Sequence, residues 1–314
     1  MYKDYSICVI VPAYNEETLI LKTLDGIPEY VDYIFVINDA STDKTLELLQ
    51  NQKQKDGRVE IINHIKNEGL GKCIRDGYLL SKKKVGIDVT AIMDGDNQMH
   101  PRDLVNILDK LIDEDYDYIK GNRLLHRKIA AMPKYRFIGN SILTILSKFA
   151  TGYYSLMDPQ CAYSAIKNSA LKKIPIEKLT RGYGYNADVL CMLNIQRYRA
   201  ADVEVEPVYG SEKSKIILWK YIPKTSWILI NLFFRRNWQR YIVLDFHPLV
   251  LFYMFALFNI IFIIFPLTIR FFLLYFQIGE APKTTLTILS FSILITFQSI
   301  LFAIWMDMDY NKKK

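Results

Sequence analysis

Two stretches near the C-terminus carry no Lys, Arg, Asp or Glu: residues 246–269, 24 in all, and residues 284–306, 23 in all. About 20 apolar residues cross a bilayer core, and soluble cores rarely leave runs of this length uncharged. The pair predicts a two-helix transmembrane hairpin within 246–314, over about 246–269 and 284–306. Gly279 and Pro282 suit a turn in the link at 270–283.

Charge sets the expected orientation. Between Lys213 and Leu244 lie seven basic residues and no acidic one, and the other 33 Lys and Arg match the 33 Asp and Glu. The net charge of +7 therefore sits in one short segment. Basic flanks stay cytoplasmic. With Arg235, Arg236 and Arg240 before the first run and Lys312, Lys313 and Lys314 at the end, both termini and residues 1–215 are expected in the cytosol. No secretory leader is read at the start, where residues 7–13 form only a short apolar run. Trp219, Tyr221, Trp227 and Trp238 interleave with the cations of 216–245, which predicts interfacial juxtamembrane helices facing anionic lipid. Nucleic acid is the competing partner for such charge. A basic segment abutting two apolar runs already faces a polyanion, so a lipid bilayer is expected and nucleic acid is not. Four cysteines without a C-x-x-C pair exclude a disulfide scaffold and a cysteine zinc site, and fit a reducing compartment.

Residues 1–215 alternate two patterns. Continuous apolar strands are predicted at 6–12, 33–38, 59–63 and 89–93, and helices at 17–27, 43–52, 71–80 and 101–113. Such alternation indicates an α/β domain with a mostly parallel sheet. Ligands then bind beyond the carboxyl ends of the strands. Four successive strand ends are polar: Pro12-Ala13-Tyr14-Asn15-Glu16, Asn38-Asp39-Ala40-Ser41-Thr42-Asp43, Asn67-Glu68-Gly69-Leu70-Gly71-Lys72 and Asp94-Gly95-Asp96-Asn97-Gln98. Singly, each has a structural explanation: Asp43 suits the N-cap of the second helix or a place close to it, and the glycines suit a turn. The Asp94-x-Asp96 pair is the most specific. Two carboxylates flanking one residue can converge on a hard cation, Mg²⁺ or Mn²⁺, that keeps positions open for phosphate oxygens. Gln98 offers a further carbonyl ligand or a group pointing at the sugar.

These segments, VIVPAYNE, VINDASTDKT, NEGLGKCIRDG and MDGDNQMHP, resemble the family 2 glycosyltransferases of GT-A (Rossmann-like) fold. They are most similar to the dolichyl-phosphate mannose synthase and polyprenyl-phosphate glycosyltransferase branch. The resemblance implies a nucleotide-sugar site. Pro12, Tyr14, Asn15, Glu16 and Asp39 would lie near base and ribose, Gly69, Gly71 and Lys72 near base or diphosphate. Asp94, Gly95, Asp96 and Gln98 would hold metal and sugar diphosphate. It further implies a phosphate-facing Arg123, a donor-covering segment with Asp158 and Gln160, and Asp188 near a catalytic base. The match at Asp188 is loose, since the common Glu-Asp pair reads Ala187-Asp188. The Gln-x-x-Arg-Trp motif of processive synthases is absent, so transfer of one sugar is expected. Related enzymes form dimers and tetramers, and the hairpin suits a homo-oligomer.

A hydroxyl acceptor needs a general base, whereas a phosphomonoester is already anionic and needs cations to position it. Arg123, Arg127, Lys128, Lys213 and Lys215 are candidates for a polyprenyl or dolichyl phosphate. The expected reaction is an inverting, metal-dependent transfer from a nucleotide-sugar, UDP-linked rather than GDP-linked, on the cytosolic face. A glycolipid hydroxyl acceptor and a non-catalytic nucleotide-sugar-binding protein are the alternatives.

Overall fold

The computed structural model describes residues 1–125, 134–158, 161–182, 184–206 and 218–312. They fall into two compact units, Met1–Arg236 and Asn237–Lys314.

In the first unit seven strands form one sheet: β1 (Ile7–Ala13), β2 (Tyr33–Asn38), β3 (Val59–Asn63), β4 (Val89–Ile92), β5 (Tyr118–Asn122), β6 (Ser164–Lys167) and β7 (Ala200–Glu204). Their order is β3-β2-β1-β4-β6-β5-β7. β6 runs antiparallel to β4 and β5, and every other pair is parallel. The mostly parallel Rossmann-like sheet is the one expected. All seven residues of β1 are buried, because helices cover both faces, so a continuous apolar run replaces alternation. Ile7, Val9 and Val11 pack with Leu24, Leu104 and Leu108 on one side. Cys8 and Ile10 pack with Ile74, Tyr78 and Leu193 on the other. The chain winds from β1 outward to β2 and β3, then returns to β4 on the far side of β1. That reversal opens a crevice at the carboxyl ends of β1 and β4.

The connecting helices are α1 (Ile20–Gly26), α2 (Thr45–Lys55), α3 (Leu70–Lys83) and α4 (Pro101–Asp113), followed by α5 (Lys134–Thr151), α6 (Asn168–Leu171), α7 (Tyr185–Ile195) and α8 (Leu218–Trp238). α1 starts three residues later than expected at 17, after a turn. Asp43 lies close to the N-cap of α2, as expected, one residue before Lys44, which holds that position. From one position upstream, Asp43 still accepts the Thr45 N–H at 3.0 Å and the Glu17 N–H at 3.2 Å. The first unit runs past the boundary expected at 215, because α8 packs back on it. Leu229 and Leu232 join Leu143, Ala150, Ala187 and Cys191 in one apolar cluster. Arg236 donates to the carbonyls of Ala150 (3.2 Å) and Phe149 (3.0 Å). A guanidinium at the carboxyl end of α5 satisfies its last carbonyls and suits the helix dipole. Arg236 is thus buried, not laid on lipid headgroups as its charge alone suggested.

The second unit is a helical hairpin. α9 (Leu249–Asn259), a π-helical turn (Ile260–Ile264) and α10 (Phe265–Ile278) form one helical run, and α11 (Lys283–Lys312) folds back along α9. The Phe252 and Phe302 rings lie 5.9 Å apart. The turn is confined to the short stretch between the helices, and the first run continues through Arg270 to Ile278, past the end expected at 269. A single charge does not stop a helix. Gly279 does, in the left-handed conformation (φ 77°), with its N–H on the Tyr275 carbonyl at 2.9 Å. At the hairpin's open end a polar knot joins its chain ends. Asp307 accepts from Tyr241 and, at 2.9 Å, from Asn311, while Tyr310 donates to Asp245 at 2.8 Å. Arg240, also expected at lipid, is buried there over the Tyr241 and Tyr310 rings.

Candidate active site

The end of β1 draws the polar strand ends together. Its last carbonyls accept backbone bonds from both sides: Ala13 O from Asp39 N at 2.9 Å, Pro12 O from Gly95 N at 3.1 Å. Pro12 is buried as part of the strand. Tyr14 is exposed. Asn15, at φ 56°, accepts the Thr42 N–H on its side-chain oxygen at 2.8 Å and gives its own N–H to Ser41 Oγ at 3.0 Å. The Glu16 N–H bonds Thr45 Oγ1 at 2.9 Å. The loop after β1 is therefore tied to the loop after β2. Gly95 lies where a Cβ would stand 2.9 Å from Pro12 O, so this turn admits no larger residue without a shift.

Asp94 and Asp96 emerge at the end of β4. Asp94 is partly exposed, yet its Oδ1 is enclosed and accepts no hydrogen bond among the described residues. Burial, then the charges of Asp96 and Glu16, push Asp94 up to about 7, against the pull of Arg123 and Lys120. Asp96 Oδ1 takes the Gln98 N–H at 3.0 Å. A buried carboxylate oxygen without a donor, beside a second carboxylate, fits a hard divalent cation. Asp94 and Asp96, with Gln98 beside them, could hold Mg²⁺ or Mn²⁺.

Asp39 is arranged in the opposite way. It is buried, and its Oδ1 accepts the Glu68 N–H at 2.9 Å and meets His64 Nδ1 at 2.7 Å, while its Oδ2 accepts the Gly69 N–H at 2.8 Å. Burial would raise its titration, but these donors outweigh it and hold the carboxyl below the usual range. Gly69 has φ 90°, a conformation that favours glycine. A Cβ on Gly71 would stand 2.2 Å from Thr180 O, so the start of α3 packs directly on the backbone before α7. Lys72, expected near the diphosphate, is paired with Asp76 one turn on.

At the end of β5, Arg123 reaches Asp158 through Nε at 2.8 Å and Nη2 at 3.2 Å, and its own N–H bonds the same carboxylate at 3.3 Å. Asp158, which also accepts the Cys161 N–H at 3.1 Å, is a holder of Arg123 in this structure. Burial pushes it up, but Arg123 wins and keeps it low. The Arg123 side chain is 38% exposed, so its guanidinium lies at the surface of the site. Beneath it Lys120 is fully buried, with its ammonium on the Cys161 carbonyl. Burial pushes Lys120 down to about 8, while Asp158 and Asp94 hold it up.

Asp188 does not stand open as a base. Both oxygens are engaged: Oδ2 accepts the Thr180 N–H at 3.0 Å and hydroxyl at 2.8 Å, and Oδ1 pairs with Arg235. Gln160, Arg127, Lys128, Lys213 and Lys215 lie outside the described residues. The sequence does not single out Lys120, His64 or Asp76, and Arg235 reads there only as a membrane-flanking cation. Only Lys120 carried a signal, a lone cation inside the strand Tyr118–Asn122.

Residues 8–174 match the family model described as glycosyl transferase family 2. The chain belongs to that family. This glycosyltransferase is 31% identical over 235 residues to an uncharacterized protein of Methanocaldococcus jannaschii, covering 72% of this chain and 98% of that one. It is 26% identical over 220 residues to the UDP-N-acetylglucosamine–dolichyl-phosphate N-acetylglucosaminyltransferase of Methanococcus voltae, covering 66% and 87%. In fold the glycosyltransferase is similar to glucosyl-3-phosphoglycerate synthase of Mycobacterium tuberculosis, solved with Mn²⁺, UDP and glucosyl-3-phosphoglycerate. The TM-score is 0.55 at 18% identity, over 74% of this chain and 80% of that one.

Proposed function

We propose that this glycosyltransferase moves one sugar from a nucleotide-sugar, UDP-linked in preference to GDP-linked, to a polyprenyl or dolichyl phosphate at the cytosolic membrane face, with inversion at the anomeric carbon. The observation that carries the reading is the unpartnered, enclosed oxygen of Asp94 beside Asp96 at the topological switch of the sheet. A divalent cation held there would neutralise charge developing on a departing diphosphate. Tyr14, Asn15, Glu16 and the Gly69–Gly71 backbone would line the donor's nucleotide. Arg123, set by Asp158, would face phosphate. A lipid phosphate oxygen bonds to the anomeric carbon as the bond to the donor diphosphate breaks, and the nucleoside diphosphate leaves.

Two features support a phosphate acceptor. The Methanococcus voltae relative is named for dolichyl phosphate. Asp188, loosely matched to the acid that many family members use as a base, has both oxygens committed to Thr180 and Arg235, and a phosphomonoester needs no base to be deprotonated. A glycolipid hydroxyl would need one. Membrane residence rests on the helices of the second unit. Leu249–Ile278 and Lys283–Lys312 are long and apolar enough to cross a bilayer, and only 22% and 17% of their most apolar windows is buried by protein, unlike the core helices of a soluble fold.

The test is transfer in membranes from labelled UDP- and GDP-sugars with Mg²⁺ or Mn²⁺, with and without polyprenyl phosphate. Label entering the organic phase only with both metal and lipid phosphate is expected. Donor consumption without lipid labelling would remove the acceptor assignment.

A further inference from the structure

His64 lies just past the end of β3, where its N–H continues the ladder to Asn38 O at 2.9 Å. Its ring is buried and bridges two carboxylates: Nδ1 to Asp39 at 2.7 Å and Nε2 to Asp76 at 3.1 Å. Asp76 lies on α3, and its Oδ2 is also paired with Lys72. Carboxylates only accept, so both contacts are hydrogen bonds when both ring nitrogens donate. The chain Asp39–His64–Asp76–Lys72 thus runs from the end of β2, through the residue after β3, into the first turns of α3. Its Asp39 end holds the amides of Glu68 and Gly69. These are the backbone groups of the loop that approaches the donor in the function proposed above.

Cys73 also lies close, and the ligand atoms of Asp39, His64 and Cys73 are all within 4.8 Å of one another. That trio invites a metal reading, which the distances argue against. Two ligands about 2.0–2.1 Å from one tetrahedral ion sit roughly 3.3 Å apart. The 2.7 Å contact between His64 and Asp39 is the length of a charge-assisted hydrogen bond, and Asp39 already takes two amides.

We propose that His64 is a positioning residue for the nucleotide-sugar: by joining Asp39 to Asp76 it fixes the Glu68–Gly69 backbone and the start of α3, and so sets donor affinity without touching the reacting atoms. Lys72 serves this chain as the anchor of Asp76 instead of reaching the diphosphate. Networks of this kind hold geometry only while every member is satisfied. The inference rests on the donor-binding reading, and it separates from that reading because nucleotide binding is measurable without any acceptor.

The experiment measures binding of UDP and GDP with Mg²⁺ by calorimetry, together with transfer kinetics, on the full chain in lipid nanodiscs. His64→Phe removes both contacts. Asparagine places an amide near the Nδ1 position and glutamine near Nε2, so His64→Asn keeps the Asp39 contact and His64→Gln the Asp76 contact. His64→Phe is expected to raise the nucleotide Kd and donor KM about tenfold or more, with kcat and the lipid-phosphate KM little changed. His64→Asn should recover most of the affinity and His64→Gln less, with Asp76→Asn between wild type and His64→Phe. An unchanged donor KM in folded His64→Phe would overturn the proposal. So would equal rises in donor and acceptor KM, an Asn variant no better than Gln, or stoichiometric zinc in the purified protein. If His64→Phe does not fold, the comparison of Asn, Gln and Asp76→Asn decides. A wild type that binds neither nucleotide would overturn the donor-binding reading and this inference with it; normal wild-type binding with unaffected variants overturns the inference alone.

Discussion

Asp39 and Asp94 follow β2 and β4, the two strands that flank β1, both acids just past an apolar strand, and they are arranged in opposite ways. Asp39 has two amides and a histidine and titrates below the usual carboxylate range. Asp94 has an enclosed oxygen with no donor among the described residues and is pushed up to about 7. The contrast separates a carboxylate satisfied by donors of the protein from one whose enclosed oxygen has none among the described residues. Burial alone raises both; hydrogen-bond donors decide which one stays ionised.

The largest effect expected from breaking this contrast is on turnover. Asp94→Ala or Asp96→Ala should lower transfer at least about 10³-fold, yet Asp94→Asn should melt no lower than wild type in metal-free buffer, since it removes an unsatisfied buried charge. Normal turnover in either alanine variant would remove the metal assignment. Asp39→Ala should do the reverse in kind, costing about 3 kcal/mol of stability by denaturant titration, because two amides and His64 lose their acceptor. Asp188→Asn should cost about 2 kcal/mol, from a buried acid whose partner Arg235 is partly exposed. The rate of that variant per folded molecule should stay within about tenfold of wild type, because no general base is lost; a larger fall would restore the base role and the hydroxyl acceptor.

The pH dependence has opposite signs at the two acids. Asp94, raised from 3.8 to about 7, binds more protons folded than unfolded between those values. Metal-free stability therefore falls as pH rises through that window. Asp39, lowered from 3.8, contributes stability that is present above its ordinary value and lost as pH falls below it. Melting temperature followed from about pH 4 to 7 should show the downward slope in wild type and lose it in Asp94→Asn. Mg²⁺ or Mn²⁺ should raise the upper end of the wild-type curve alone.

Much of the fold was legible because its signals are local. The strands at 33–38 and 59–63 and the helix at 101–113 have the bounds predicted from apolar runs and a Pro at the helix start. Asp94-x-Asp96 is legible for the same reason: adjacent residues at one strand end share a place whatever the rest of the chain does. The errors also have local causes. An uncharged run marks how much chain can lie in a bilayer, not where its helix stops; the helix continues through Arg270 to the backbone break at Gly279. A basic run reads as lipid-facing at Arg236 and Arg240 because it does not show which guanidiniums reach carbonyls or rings inside the protein.

By itself the sequence determined the order of strands and helices as far as residue 113, the pair of long apolar runs, and the acids at the strand ends. Each follows from residues within a few positions of one another. Tertiary structure alone decided what those acids do. Asp39 meets His64 25 residues away, Arg123 meets Asp158 35 away, and Asp188 meets Arg235 47 away. A carboxylate's charge state and availability depend on donors brought in by chain crossings, and no local pattern of residues records which donors those will be.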